Sequence, residues 1–100
     1  MSETVMRNTE TNQFELRVNG ELAFTQYRET PGEIEFVRTF VPESLRGQGI
    51  AGRLVQEGLA YAEAHDLKIR PTCKAFEAYV RKNPETHDRL APGVKEDLGL

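Results

Sequence analysis

A single cysteine, Cys73, stands in the whole sequence, so no disulfide can close within the chain and a reducing compartment is the expected setting. No apolar run approaches the roughly 20 residues that a membrane-spanning helix needs. The opening MSETVMRNTETNQ is polar and lacks the apolar stretch of a secretory leader, so a cytoplasmic protein without a membrane partner is expected. Basic charge is not in excess either. The net charge is −3, and without a basic stripe no nucleic-acid partner is expected. The only two histidines, His65 and His87, read as a helix-end cation and a tail residue, and no metal site is expected.

What is present fits one folded domain. One hundred residues leave no room for two cores. Hydrophobic residues make up 38% and charged residues 29%, a balance of globular rather than disordered chains. Residues 1–12 are polar and aperiodic and read as a flexible arm. The domain is expected over residues 13–86, and residues 87–100 read as a tail with little structure.

Phe14, Leu16 and Val18 alternate with polar neighbours, the period of a half-buried strand. Asn19-Gly20 is a strong two-residue hairpin signal. Alternation resumes over Glu21–Arg28, and Pro31-Gly32 marks a second turn. A third strand is expected over Glu33–Val41, with Ile34, Phe36, Arg38 and Phe40 on one face and Glu35, Val37, Thr39 and Val41 on the other. Pro42 stops it. A helix from Gly49 or Ile50 to about His65 follows from the spacing of Ile50, Leu54, Val55, Leu59 and Ala62. Gly58 lies inside it at a cost of about 1 kcal/mol relative to alanine, which implies a close approach there. Leu67–Thr72 reads as a short fourth strand whose end Pro71 places at a sheet edge or at a bulge, and Ala75–Lys82 as a second helix on Phe76, Tyr79 and Val80. The fold class is α+β, a mixed layered domain in the order β-β-β-α-β-α.

Chemistry concentrates in Arg46-Gly47-Gln48-Gly49-Ile50-Ala51-Gly52, between a strand end and a helix start. A helix N-terminus carries free N–H groups and about half a positive charge. The glycines let backbone approach an anion, and Arg46 adds a cationic fork. Together they suit a phosphate or pyrophosphate. No Lys-Ser or Lys-Thr follows, which excludes a Walker A loop. The spacing Gly47-x-Gly49-x-x-Gly52 satisfies GxGxxG, but a meander strand rather than a parallel βαβ unit precedes it.

Arg46-x-x-Gly49-x-Ala51 resembles the Arg/Gln-x-x-Gly-x-Gly/Ala motif of the GCN5-related (GNAT) acetyltransferases. With Val41-Pro42 before it and Pro71-Thr72-Cys73 and Ala78-Tyr79 after it, the chain is similar over residues 14–86 to the small GNAT-like proteins that retain little more than the CoA-binding half of the fold. The resemblance implies a minimal GNAT-like fold, an antiparallel meander followed by α-β-α, with a V-shaped splay between the third and fourth strands. It implies acetyl-CoA as co-substrate, with the pyrophosphate at Arg46, Gly47, Gln48, Gly49, Ile50, Ala51 and Gly52 and the pantetheine amides at the main chain of Phe40 and Val41. Thr72 and Cys73 would then lie near the thioester.

The implied activity is acetyl transfer from CoA to an unidentified amine. Three residues are candidates for the chemistry. Cys73 is either a small buried hydrophobe or an acyl acceptor beside the thioester. Tyr79 is either packing or a proton donor to the departing thiolate. Glu35, ahead of Glu33, is either a surface charge or a base facing the cleft. Relatives often carry His-Thr-Glu-Val where this chain has Arg38-Thr39-Phe40-Val41. The family His and Glu are therefore absent, and Arg38 reads either as a substrate-carboxylate contact or as a surface charge. Two other readings stay open: an acyl-CoA sensor or carrier without turnover, and a subunit that pairs through an open sheet edge.

Overall fold

Apolar–polar alternation between Gln13 and Phe40 produces the sheet that organises the molecule. The computed structural model describes residues 4–100, so the first three residues of the expected arm lie outside the described residues. Strands β1 (Met6–Asn8), β2 (Gln13–Val18), β3 (Glu21–Thr30) and β4 (Glu33–Phe40) are followed by helix α1 (Ile50–Ala64), strand β5 (Lys68–Pro71), and helices α2 (Lys74–Lys82) and α3 (Val94–Leu98). Short 3-10 turns occupy Glu43–Leu45 and Pro84–Arg89. The sheet order is β1-β2-β3-β4-β5, antiparallel through β4, with β5 parallel to β4. Parallel neighbours need a crossover, and α1 provides it.

The β2–β3 turn places Asn19 at φ 53° and Gly20 at φ 80°, the two positive φ angles of a type I′ hairpin. Phe14, Leu16 and Val18 on β2, Ala23, Thr25 and Tyr27 on β3, and Ile34 and Phe36 on β4 are buried on one face. On that face Phe36 stacks on Phe76 of α2, centroids 3.9 Å apart and planes 8° from parallel. A Cβ at Gly58 of α1 would lie 2.7 Å from the Phe36 ring and 2.9 Å from the Phe76 ring. This is the close approach that the helical glycine implied, and it puts α1 and α2 side by side on one face.

The expected faces of β4 hold only for its first half. Pairing passes from Gln26↔Arg38 to Tyr27↔Phe36, which leaves Val37 as an extra residue, a β-bulge. Strand alternation shifts by one there. Thr39, cross-strand from the fully buried Thr25, comes to the core face. Arg38 and Phe40 go to the opposite face instead of joining Ile34 and Phe36.

Two further expectations are corrected. Residues 4–12 are not simply an arm: β1 pairs with β2, and Arg7 fastens it by donating to the Tyr27 hydroxyl (3.2 Å) and by lying over the Tyr61 ring (4.6 Å). Nor is 87–100 an unstructured tail. Leu90 bridges Ile69 of β5, the Ala91 N–H donates to the Ile69 carbonyl at 2.9 Å, and Leu90, Ala91 and Val94 are buried. Three apolar side chains spread over a polar stretch give no readable period, so the sequence concealed them.

These contacts fix two outcomes. Gly58→Ala gains about 1 kcal/mol of helix propensity but overpacks two stacked rings, a cost of about 1–3 kcal/mol, so urea denaturation is expected to give a net loss on the order of 1 kcal/mol. Leu90→Ala is expected to lose about 2 kcal/mol or more, against the half kilocalorie or less of a surface position. An unchanged midpoint for Leu90→Ala would restore the tail reading.

Candidate functional site

The β4–β5 ladder runs from Glu33↔Lys68 to Phe36↔Pro71 and ends, whereas β3–β4 continues to Phe24↔Phe40. Beyond Phe36 the edge of β4 that faced β5 is released. The Cys73 N–H donates to the Phe36 carbonyl at 3.0 Å, and the chain then turns away into α2. The two strands therefore part in a V whose sides are Val37–Val41 and the Thr72–Cys73 turn.

The glycine loop follows the Val37–Val41 side of this V. Leu45, buried in the 3-10 turn, and Ile50, buried at the helix start, pin its two ends to the core. Between them Gly47 (φ 83°) and Gly49 (φ 75°) take left-handed conformations that cost other L-residues about 1–2 kcal/mol. Gly49 caps α1 without a side-chain hydrogen bond, and no acidic residue occupies the first turn. The first bond of the helix ladder is Arg53 N–H to the Gly49 carbonyl, 3.1 Å, so the N–H groups of Ile50, Ala51 and Gly52 precede it. Arg46 is exposed and curls back, its Nε donating to the Val41 carbonyl at 3.3 Å. Gln48 Nε2 donates to the Ser44 carbonyl at 3.5 Å.

A depression of about 160 Å³ lies over this loop, lined by Val41, Leu45, Arg46, Gly47, Ile50 and Gly52 among others. Through Ala51 and Gly52 it meets a groove of about 240 Å³ between α1 and α2, whose walls include Val55, Ala75, Ala78 and Tyr79. Gly52 stands apart from Gly58. A Cβ on it would meet nothing within 4 Å, and its φ is not positive. Neither packing nor backbone conformation requires glycine there, although glycine costs about 1 kcal/mol in a helix. The space in front of it is open toward the groove.

The other candidate residues divide by face. Cys73 is buried at the N-cap of α2, with Sγ 3.3 Å from Thr39 Oγ1, which in turn shares a hydrogen bond of 2.9 Å with Thr25 Oγ1. Val41 packs against the core and lines the loop depression, whereas Phe40 is exposed on the other face against Phe24, centroids 5.7 Å apart. Glu35 does not face the cleft. It alternates with buried Ile34 and Phe36, accepts a 2.6 Å hydrogen bond from Thr72 Oγ1, and pairs with Arg28 at 3.7 Å. Because the bulge intervenes, Glu35 and Thr39 lie on opposite faces of β4, so the base expected at Glu35 is not brought to Cys73. Thr72 is held on Glu35's side of the turn. Tyr79 lines the α1–α2 groove and a second cavity of about 330 Å³ with Leu59, Glu63 and Glu85, and neither includes Cys73.

The Tyr61 hydroxyl is held above its ordinary pKa, chiefly by burial and then by its 2.8 Å hydrogen bond to Glu29. Hydrogen bonds to Tyr27 and Glu33 raise the Arg7 and Arg70 guanidiniums respectively. Among the described residues no group of three or more His, Cys, Asp or Glu could hold a metal ion, and no helix is long and apolar enough to cross a membrane.

Sequence reasoning missed the Thr25–Thr39 pair. The available signal was two threonines on otherwise apolar strands, but pairing them required knowing about the bulge.

Comparison with known proteins agrees with this architecture. The family described as GCN5-related N-acetyl-transferase matches residues 13–89. Protein NATD1 of Mus musculus is 33% identical over 93 residues, covering 88% of this chain and 84% of the relative. Protein NATD1 of Homo sapiens is 35% identical, covering 80% and 75%, and that of Gallus gallus is 36% identical, covering 72% and 68%. A five-stranded sheet with a late parallel strand, a glycine loop at the head of the crossover helix and a match across three quarters of the chain together make this protein a member of the GCN5-related N-acetyltransferase family.

Proposed function

We propose that this protein binds acetyl-CoA at the loop Arg46–Gly52 and transfers the acetyl group to an amine. The observation that carries the reading is Gly52, a helical glycine with no internal reason to be one, facing an open groove beside an uncapped helix N-terminus. The donor set fits a pyrophosphate: N–H groups of Gly47 to Gly52, the positive end of α1, and the Arg46 guanidinium. Acetyl-CoA would supply the activated acyl group, with the amine forming the new C–N bond as the C–S bond breaks and the thiol leaves.

The chain's own groups divide that work. The released edge of β4 from Val37 to Val41 offers main-chain groups to an extended ligand, as an added strand would. Cys73 and Thr39 line the V below it, where Cys73 would sit near the thioester. Tyr79 lines the groove that continues from the loop, away from Cys73, so it would serve as proton donor to the leaving sulfur only if the thioester end reaches that groove rather than Cys73. With the Glu35 carboxylate on the far face, rate enhancement would come mainly from positioning and from polar groups aimed at the reacting carbonyl. The same absence of an inward carboxylate favours a second reading, an acyl-CoA sensor or carrier with no efficient turnover. The single, buried Cys73 thiol suits a reducing compartment such as the cytoplasm.

Calorimetric titration with CoA and acetyl-CoA tests the site. Gly52→Ala is expected to raise stability by up to about 1 kcal/mol while weakening CoA binding, a combination that no purely structural role for Gly52 produces. Arg46→Ala is expected to weaken binding about tenfold, the loss of a charge-assisted contact, with unfolding unchanged. Unaltered affinity in both variants would remove the loop from the site. Mass spectrometry after incubation with acetyl-CoA addresses Cys73: direct transfer predicts no added acetyl group, whereas one acetyl absent from Cys73→Ala identifies a covalent intermediate.

A further inference from the structure

The bulge at Val37 delivers Arg38 and Phe40 to the face of the sheet away from α1 and α2, and that face is not uniform. Register aligns Met6, Glu15, Phe24 and Phe40 in a row across four strands. Met6 is 64% and Phe40 40% exposed, two of the three large hydrophobic side chains exposed among the described residues. Charges on this face are paired where β4 and β5 are still joined: Glu33 with Arg70 at 2.7 Å, and Glu35 with Arg28 at 3.7 Å. Where the strands have parted, the pairing stops. Among the described residues Arg38 has no carboxylate partner. Its guanidinium lies over the Phe24 ring, 5.4 Å from the centroid.

We propose that Arg38, Phe24 and Phe40 form the acceptor subsite, and that it takes a small amine that carries its own carboxylate, an amino acid being the simplest case. The proposal rests on the acetyl-transfer reading above. A guanidinium stacked on a ring keeps its hydrogen-bonding fork free, and that fork matches a carboxylate in two parallel bonds. The Phe24–Phe40 pair beside it gives an apolar platform for the body of the ligand. A diamine or other purely cationic acceptor is disfavoured, because its ammonium would meet the Arg38 charge with no anion of its own to offset it. Position supports the assignment. Arg38 and Phe40 flank Thr39 in the strand segment that borders the V, and Thr39 is turned to the other face and bonded to Cys73.

The test is titration of the full chain, with and without saturating CoA, using phenylalanine, 2-phenylethylamine and putrescine as probes. Phenylalanine is expected to bind at least about tenfold more tightly than 2-phenylethylamine, which lacks only the carboxylate, and putrescine more weakly still. Arg38→Gln is expected to abolish the difference between the first two, and Phe40→Ser to weaken both. Equal binding of phenylalanine and 2-phenylethylamine, a preference for putrescine, or a preference that survives Arg38→Gln would overturn the proposal. CoA binding without any phenylalanine binding would sink the subsite alone. Phenylalanine binding without CoA binding would keep the subsite and sink the acetyl-transfer reading, and binding of neither would remove both.

Discussion

The extra residue in β4 is the constraint on which the rest of the site depends. With strict alternation, Arg38 and Phe40 would follow Ile34 and Phe36 onto the helix-covered face. A guanidinium among Phe36, Phe76 and Leu54 would have no partner for its charge, and burying it would cost far more than a small domain's margin. The bulge at Val37 avoids this by reversing the faces of the strand. Thr39, small enough to be accommodated, turns inward to meet Thr25 and Cys73, and Arg38 and Phe40 turn outward. The ladder to β5 also stops just before the bulge, at Phe36. One backbone irregularity thus opens the gap, supplies its inner polar group and exposes its outer cation.

Helix α1 carries a second, related compromise. Its two interior glycines answer opposite demands. Gly58 is dictated by the core, since the stacked rings of Phe36 and Phe76 occupy the space that any side chain would need. Gly52, less than two turns away, is dictated by nothing inside the molecule. The helix is therefore held tightly to the sheet at its middle and left bare at its N-terminus, where left-handed Gly49 replaces the usual side-chain cap and no acidic residue neutralises the dipole. A helix end left this way would suit the anion proposed for it, and Leu45 and Ile50 tie the loop to the core on both sides.

Much of this was legible from local signals with a single physical meaning. Asn19-Gly20 specified the hairpin, the spacing from Ile50 to Ala62 specified α1, and the glycines after Arg46 marked the loop. Gly58 announced a close contact that the structure supplies. What failed was everything that depends on phase or on distant partners. A bulge leaves no mark in residue type, so Glu35 was grouped with Thr39 although the strand places them on opposite faces. The short strand Met6–Asn8 has one exposed methionine and two polar residues, and it exists because β2 offers an open edge. Leu90 and Ala91 dock on Ile69 of β5, and Leu90, Ala91 and Val94 are buried without any periodicity of their own.

Among the described residues no carboxylate is brought to Cys73, and this shapes what chemistry the V could support. Its inner wall offers one hydroxyl and one thiol, Thr39 and Cys73, with Thr39 bonded in turn to the fully buried Thr25. Such a wall can orient a carbonyl but cannot take a proton from an ammonium ion. The amine proposed as acceptor would then have to arrive as the free base, or be made acidic by its surroundings. Under that proposal Arg38 on the outer face would do the latter. In an amino acid the adjacent carboxylate stabilises the ammonium form, and pairing that carboxylate with Arg38 withdraws the stabilisation. The cation that anchors such an acceptor would therefore also favour its neutral, nucleophilic state. In that arrangement, Arg38 would substitute electrostatic activation of the substrate for proton abstraction by a carboxylate.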